Sequence, residues 1–216
     1  MIVEGAPDPP PGDPSGPSPT CPVVIAGVGG QGVISLARIV GRAAVAAGLS
    51  ARVGQIYGLS QRGGSVEATV RFGPGRTAFV GPGEAEVVVA LEPLEAERTV
   101  PSMSPRATVL VNDTAVVPTG SSRDGGSYPG TESILERIRA VAARVHLVNG
   151  TDLATGTGDI RLLNTVMLGV AAGMGILPVP TSNLAGELER STPARRSSAT
   201  LTAFRVGLET GEGICR

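Results

Sequence analysis

Lysine is absent from this chain: all 18 basic side chains among its 216 residues are arginine. That excludes Schiff-base chemistry and a phosphate-loop lysine supplied by this polypeptide. Cysteine is nearly as scarce. Cys21 and Cys215, the only two, stand near opposite ends, so the chain offers neither a thiolate cage for zinc nor the four thiolates of an iron–sulfur cluster. No metal site and no catalytic residue is assigned from the sequence. Histidine occurs once, as His146 in the apolar run Val145–Val148, and a lone histidine on a strand reads as structural despite its acid–base versatility. A formal charge of −1 carries no nucleic-acid footprint. There is no run of about 18 uncharged apolar residues to span a bilayer, and no basic start with an apolar core to act as a secretory signal. The expectation is a cytoplasmic protein without nucleic-acid or membrane partners.

Apolar side chains make up 41% of the sequence, enough to build a core for one domain of ordinary size. The first 22 residues hold eight prolines among Gly, Ser and Asp, a composition that cannot bury enough apolar surface to offset its ordering entropy. Residues 1–21 are therefore expected to be a disordered tail, and residues 22–211 the folded domain.

Two clusters dominate the reading. In the first, an apolar strand signal from Val23 breaks into Gly27-Val28-Gly29-Gly30-Gln31-Gly32 and then into a helical pattern from Val33. The spacing of Gly27, Gly29 and Gly32 suits a strand–turn–helix whose backbone N–H groups let an anion or another chain approach at the positive end of a helix dipole. The second cluster is Tyr57-Gly58-Leu59-Ser60-Gln61-Arg62-Gly63-Gly64-Ser65. Arg62 presents there a planar fork of donors suited to carboxylate or phosphate.

Periodicity predicts strands at Pro22–Ala26, Ala51–Ile56, Ser65–Phe72, Glu86–Leu91, Ala107–Val111 and His146–Val148. Val66, Ala68, Val70 and Phe72 alternate with Glu67, Thr69 and Arg71, which describes a strand with one wet face. Helices are expected over Gln31–Ala47, from Pro93 through Val100, and over Thr131–Ala143, Ile160–Met174, Asn183–Glu189 and Ala194–Gly207. Pro118–Gly130 reads as a loop, and no internal repeat is visible. The expected fold class is α/β, a Rossmann-like, largely parallel sheet flanked by helices, with a helical C-terminal part. In such a sheet the loops leaving the carboxyl ends of adjacent strands converge, so both clusters would line one crevice.

The glycine motif alone leaves several functions open. A dinucleotide fingerprint needs an acidic residue about 20 positions on, at the end of the second strand, and Ser50–Gln55 contains none; Arg52 could serve a 2′-phosphate but stands early for that role. The glycines could instead serve close packing of helix on sheet, or form a face approached by a cofactor or another polypeptide. The last option takes Gly27, Gly29, Gly30, Gln31, Gly32, Tyr57, Gln61, Arg62, Gly63, Gly64 and Ser65 as cofactor-binding or subunit-interface residues.

Read together, the two clusters, followed by Arg71-Phe72-Gly73, resemble the gamma-type domain of 2-oxoacid:ferredoxin oxidoreductases, nearest to the beta subunit of the indolepyruvate enzymes. Ala90-Leu91-Glu92-Pro93-Leu94-Glu95-Ala96, Asn112-Asp113, and Asn164 through Gly169 agree with the same pattern. The resemblance covers residues 22–207. It implies oxidative decarboxylation of a 2-oxoacid to an acyl-CoA with ferredoxin as acceptor. It also implies that thiamine diphosphate and 4Fe–4S clusters are carried by a large alpha subunit, and that coenzyme A is used by the assembled complex. Gly158-Asp159-Ile160 and Arg123-Asp124-Gly125 match the family's thiamine motif only superficially. The chain alone is expected to be inactive, completing and covering the active site of the complex, with Arg62 and the start of the first helix favouring the phosphates of coenzyme A. The alternative is a freestanding Rossmann-like module binding a nucleotide or flavin.

Overall fold

A computed structural model describes residues 20–57, 64–116 and 128–215. Residues 1–19 of the predicted tail, the Gly58–Gly63 part of the second cluster and most of the predicted 118–130 loop lie outside the described residues. Six strands form one sheet in the order β2-β3-β1-β4-β5-β6: β1 Pro22–Val28, β2 Ala51–Tyr57, β3 Ser65–Phe72, β4 Ala85–Ala90, β5 Met103–Asn112 and β6 Arg144–Val148. β1, β4, β5 and β6 pair in parallel, whereas β3 runs antiparallel between β1 and β2. The expected α/β fold with a largely parallel sheet is the one observed.

The central strands are covered on both sides, which is why they read as unbroken apolar runs. Val23, Ile25, Val87, Val89 and Leu110 face one core; Val24, Val88, Val109 and Val111 face the other. Helices α1 (Val33–Ala46), α5 (Leu163–Gly173), α6 (Thr181–Ser191) and α7 (Ala194–Ile214) build the first layer, and α2 (Pro93–Arg98) and α3 (Thr131–Arg139) the second. In α1, Val33, Leu36, Ala37, Val40 and Ala44 recur at helical spacing and are buried. A fully buried leucine such as Leu36 contributes about 1.5–3 kcal/mol relative to exposure.

Several details depart from expectation. Thr69 is buried although the alternation put it on a wet face, because the segment after β3 folds back and Thr69 Oγ1 donates to the carbonyl of Ala78 at 2.7 Å. The long helix predicted from Ile160 is split into a 3₁₀ turn, Ile160–Leu162, and α5, leaving Ile160 exposed. A short helix unforeseen in the sequence, α4 (Gly150–Gly156), follows β6, with Asn149 capping it by accepting from the N–H of Asp152.

The helix expected to stop at Gly207 continues seven residues, to Ile214. α5 and α7 run in the same direction with their backbones in contact. A Cβ on Gly207 would lie 2.1 Å from the carbonyl oxygen of Val166, one on Gly211 2.2 Å from that of Val170, one on Gly169 2.2 Å from that of Phe204 and one on Gly173 2.2 Å from that of Leu208. These glycines serve close approach rather than helix termination.

Candidate functional site

The two clusters meet at the carboxyl ends of the parallel strands, where β1 gives way to α1. After Val28 the chain turns so tightly that the N–H of Gln31 reaches back to the carbonyl of Val28 at 3.0 Å. Gly30 and Gly32 hold φ of 107° and 84°, in the left-handed region where a side chain would be strained. Gly32 is the N-cap of α1 and supplies no side-chain cap, and the first turn of the helix contains no acidic residue. Its first N–H groups therefore keep their positive field at this end of the sheet.

Gln31 locks this turn. Its Oε1 accepts from the N–H of Val28 at 2.7 Å, and its Nε2 donates to the carbonyl of Leu91, just beyond β4, at 3.1 Å. Asn112, at the end of β5, donates to the same carbonyl at 3.2 Å and to Thr151 Oγ1 of α4 at 3.1 Å. The N–H of Leu91 in turn donates to the carbonyl of Ala26 at 2.8 Å. Ends of β1, β4 and β5 are thus joined through one residue, Leu91. Gly27 has no room for a side chain, since a Cβ there would lie 2.7 Å from Gln31 Oε1. Gly32 meets α5 instead: a Cβ would stand 2.3 Å from Nδ2 of Asn164.

The second cluster approaches from β3. Ser65 is the register partner of Val28, and the N–H of Gly29 donates to the carbonyl of Gly64 at 2.8 Å. Gly27, Gly29, Gly30, Gln31, Gly32, Gly64 and Ser65 therefore share one edge of the sheet, and the backbone of Tyr57 ends β2 at that edge, beside Val66. Gln61, Arg62 and Gly63 lie outside the described residues.

Two carboxylates that the sequence reading did not assign to the site border the same edge. Glu92 is 1% exposed. It caps α2 by accepting from the N–H of Glu95 at 3.0 Å, and its Oε1 also accepts from the N–H of Val116 at 3.1 Å and from the hydroxyl of Tyr128. Tyr128 accepts from the N–H of Leu94 at 3.2 Å. Burial, followed by the Glu92 carboxylate, pushes the Tyr128 phenol well above its ordinary range. Glu95, also buried, accepts from Ser65 Oγ and pairs with Arg98 at 3.5 Å. Burial raises its carboxyl above the ordinary glutamate value, with a smaller push from Glu92; Ser65 and Arg98 oppose the shift. The sequence signal was an acid before a proline at the first helical position, with a second acid three residues later.

The topology bears on the dinucleotide reading. The strand beside β1 on the α1 side is β3, and β2 is one place further out. Ser65 therefore stands next to the glycine turn, and β2 from Ala51 to Tyr57 carries no acid. The ribose-binding carboxylate of that fingerprint has no counterpart.

Residues 22–210 match the family described as pyruvate ferredoxin/flavodoxin oxidoreductase. The chain belongs to this family. Within it, the indolepyruvate oxidoreductase subunit IorB of Methanothermobacter thermautotrophicus is 35% identical over 185 residues, covering 86% of this chain and 94% of that protein. The common gamma subunit of pyruvate/ketoisovalerate oxidoreductases from Pyrococcus abyssi is 28% identical over 186 residues, with 80% and 91% covered. Among solved structures, the gamma subunit of a keto/oxoacid ferredoxin oxidoreductase from Geobacter sulfurreducens superposes with a TM-score of 0.66 at 20% identity, over 89% of this chain and 99% of that one. Pyruvate oxidoreductase subunit PORC from Thermotoga maritima gives 0.64 at 23% identity, over 88% and 96%. These structures share the fold, and the sequence relatives carry the family assignment.

Proposed function

We propose that this chain is a subunit of a cytoplasmic 2-oxoacid:ferredoxin oxidoreductase acting on arylpyruvates such as indolepyruvate, and that it completes an active site whose reactive cofactors belong to a large partner subunit. Family membership supports the reaction class. The observation that carries the chain's own role is the hydrogen bond from Gly29 to Gly64, which holds the two clusters on one edge beside the uncapped start of α1. No helix among the described residues is long and apolar enough to cross a membrane.

The residues present do not fit an iron–sulfur cluster, because the sequence has two cysteines where a cluster needs four thiolates. They do suit the phosphates of coenzyme A: α1 starts without an acid or a side-chain cap, and glycines line the approach to it. Thiamine diphosphate, bound by the partner, would supply the carbanion stabilisation of the decarboxylation. This chain would bind and orient the acyl acceptor, with Arg62 adding a bidentate contact, and would exclude water from the covered site.

Co-expression with a large thiamine-diphosphate subunit of the same family, followed by assays of ferredoxin reduction across aryl, branched and small 2-oxoacids, tests partner and substrate together. Turnover should need both chains and should favour aryl substrates. Turnover by this chain alone would reject the division of labour. Arg62→Ala should raise the apparent KM for coenzyme A or weaken subunit assembly; unchanged kinetics together with unchanged co-purification would remove Arg62 from the reading.

A further inference from the structure

A hollow of about 1040 Å³ opens at the amino end of the sheet, at the far end from the glycine turn. Its floor is the part of β5 and β6 that the α5–α7 layer leaves bare. On that face Leu110 and Val148 sit under the helices, but toward the strand starts the same face carries Thr108, His146 and Arg144, with Arg106 at the rim. The facing wall is apolar, formed by the turn from Met174 to Pro180 after α5 and by Ile214 of α7.

The charges on the floor do not cancel. Arg106 is paired with Glu86 at 3.1 Å. Arg144 donates through Nε to Thr108 Oγ1 at 3.3 Å and has no carboxylate partner among the described residues. Strand pairing sets Val87, Thr108 and Arg144 in one row across β4, β5 and β6, so Arg144 is carried on rigid backbone. Burial, then the Arg144 charge, lowers the His146 pKa. The other titratable groups on this hollow are Cys21 and Cys215; burial, with some effect of Glu86, pushes the Cys21 thiol up to about 12, so it contributes no charge.

We propose that this hollow is a second binding site, which takes a small organic anion with a carboxylate head on Arg144 and His146 and an aromatic or aliphatic body against the 174–180 turn. A charged donor fork fixed beside an apolar wall recognises that amphiphilic shape, since head and body are each matched by one side of the cavity. The site lies at the other end of the sheet from the glycine turn and does not depend on the role proposed for that turn.

His146 is the only histidine in the chain, so the tag-free full-length protein gives one set of imidazole C–H signals in a proton NMR spectrum. Titration with 3-phenylpropionate should move these signals saturably and raise the His146 titration midpoint, because a bound carboxylate favours the imidazolium. The neutral 3-phenylpropionamide, and acetate with its missing body, should each bind about tenfold more weakly or worse. Arg144→Ala should weaken 3-phenylpropionate by a similar factor and raise the midpoint of the free protein. Arg106→Ala, a second substitution at an exposed position, should also weaken binding by leaving Glu86 unpaired at the rim. Absence of any saturable shift, equal binding of the amide or of acetate, or full affinity in Arg144→Ala would each overturn the proposal.

Discussion

The side chain of Gln31 spans two strands, accepting from the N–H of Val28 at 2.7 Å and donating to the carbonyl of Leu91 at 3.1 Å. Each end of its amide has a defined partner, so the oxygen and nitrogen are not interchangeable. Gln31→Glu keeps the acceptor and turns the donor into a second acceptor facing a carbonyl. Gln31→Ala leaves the Val28 N–H unsatisfied. Either replacement should destabilise the protein by about 1–3 kcal/mol, and the midpoint of urea unfolding will read it.

The contact between α5 and α7 admits no side chain at Gly169 or Gly207, where the nearest atoms are backbone. Gly169→Ala and Gly207→Ala should each cost at least about 1–3 kcal/mol, because main chain cannot rotate away as a side chain could. Gly213, on the same helix α7, has nothing within 4 Å of a built Cβ. Gly213→Ala should instead stabilise by roughly 0.5–1 kcal/mol, from helix propensity alone. Thermal unfolding of the three variants would separate contact from propensity; a destabilising Gly213→Ala would contradict this account.

Glu92 receives three donors, from Glu95, Val116 and Tyr128. The last two flank the connection between β5 and α3, so one buried carboxylate ties both of its feet to the start of α2. Glu92→Ala should lower stability by about 1–3 kcal/mol through the lost cap and the orphaned donors. It should also speed tryptic cleavage at Arg123, the only basic residue between Arg106 and Arg137. Tyr128→Phe removes one of the donors and should show a smaller effect in both measurements.

Glu95 should give stability a pH dependence of defined sign. Its carboxyl is raised above the ordinary value of 4.5, chiefly by burial, so the folded state holds this proton more tightly than the unfolded state does. The contribution is fully present below the unfolded value and is lost as pH rises through the raised folded value. Glu95→Gln, which keeps an acceptor for Ser65, should therefore flatten that part of the stability profile. Urea denaturation from pH 4 to pH 8 would test it, and a variant profile parallel to the original would count against the shift.

Much of the fold is legible in the residues. The predicted limits of β3 are the observed ones, because alternating side chains define a strand and Gly64 and Gly73 punctuate it. The runs that became β1, β4 and β5 are legible through burial on both faces. Gly207 misled because a glycine in a helix reads as a terminator unless the partner backbone is known, and that partner, Val166, lies 41 residues earlier in the chain. The segment of α4 contains Gly150 and Gly156 and takes its start from the Asn149 cap, so its composition reads as turn. At the site, the glycines and Gln31 stood out locally. Glu92 and Glu95 carry a local helix-start signal, but the partners that bring them to the site, Val116, Tyr128 and Ser65, are distant in sequence, as are those of Asn112, and no local pattern encodes them.

The reversed course of β3 has an evolutionary consequence. Both feet of the β2–β3 connection are anchored by ladder hydrogen bonds, to each other and, through β3, to β1. Insertions or deletions between Tyr57 and Gly64 can thus be sampled while the sheet and its layers stay as they are, leaving this hairpin tip free to diversify what it meets while the glycine turn beside it stays constant.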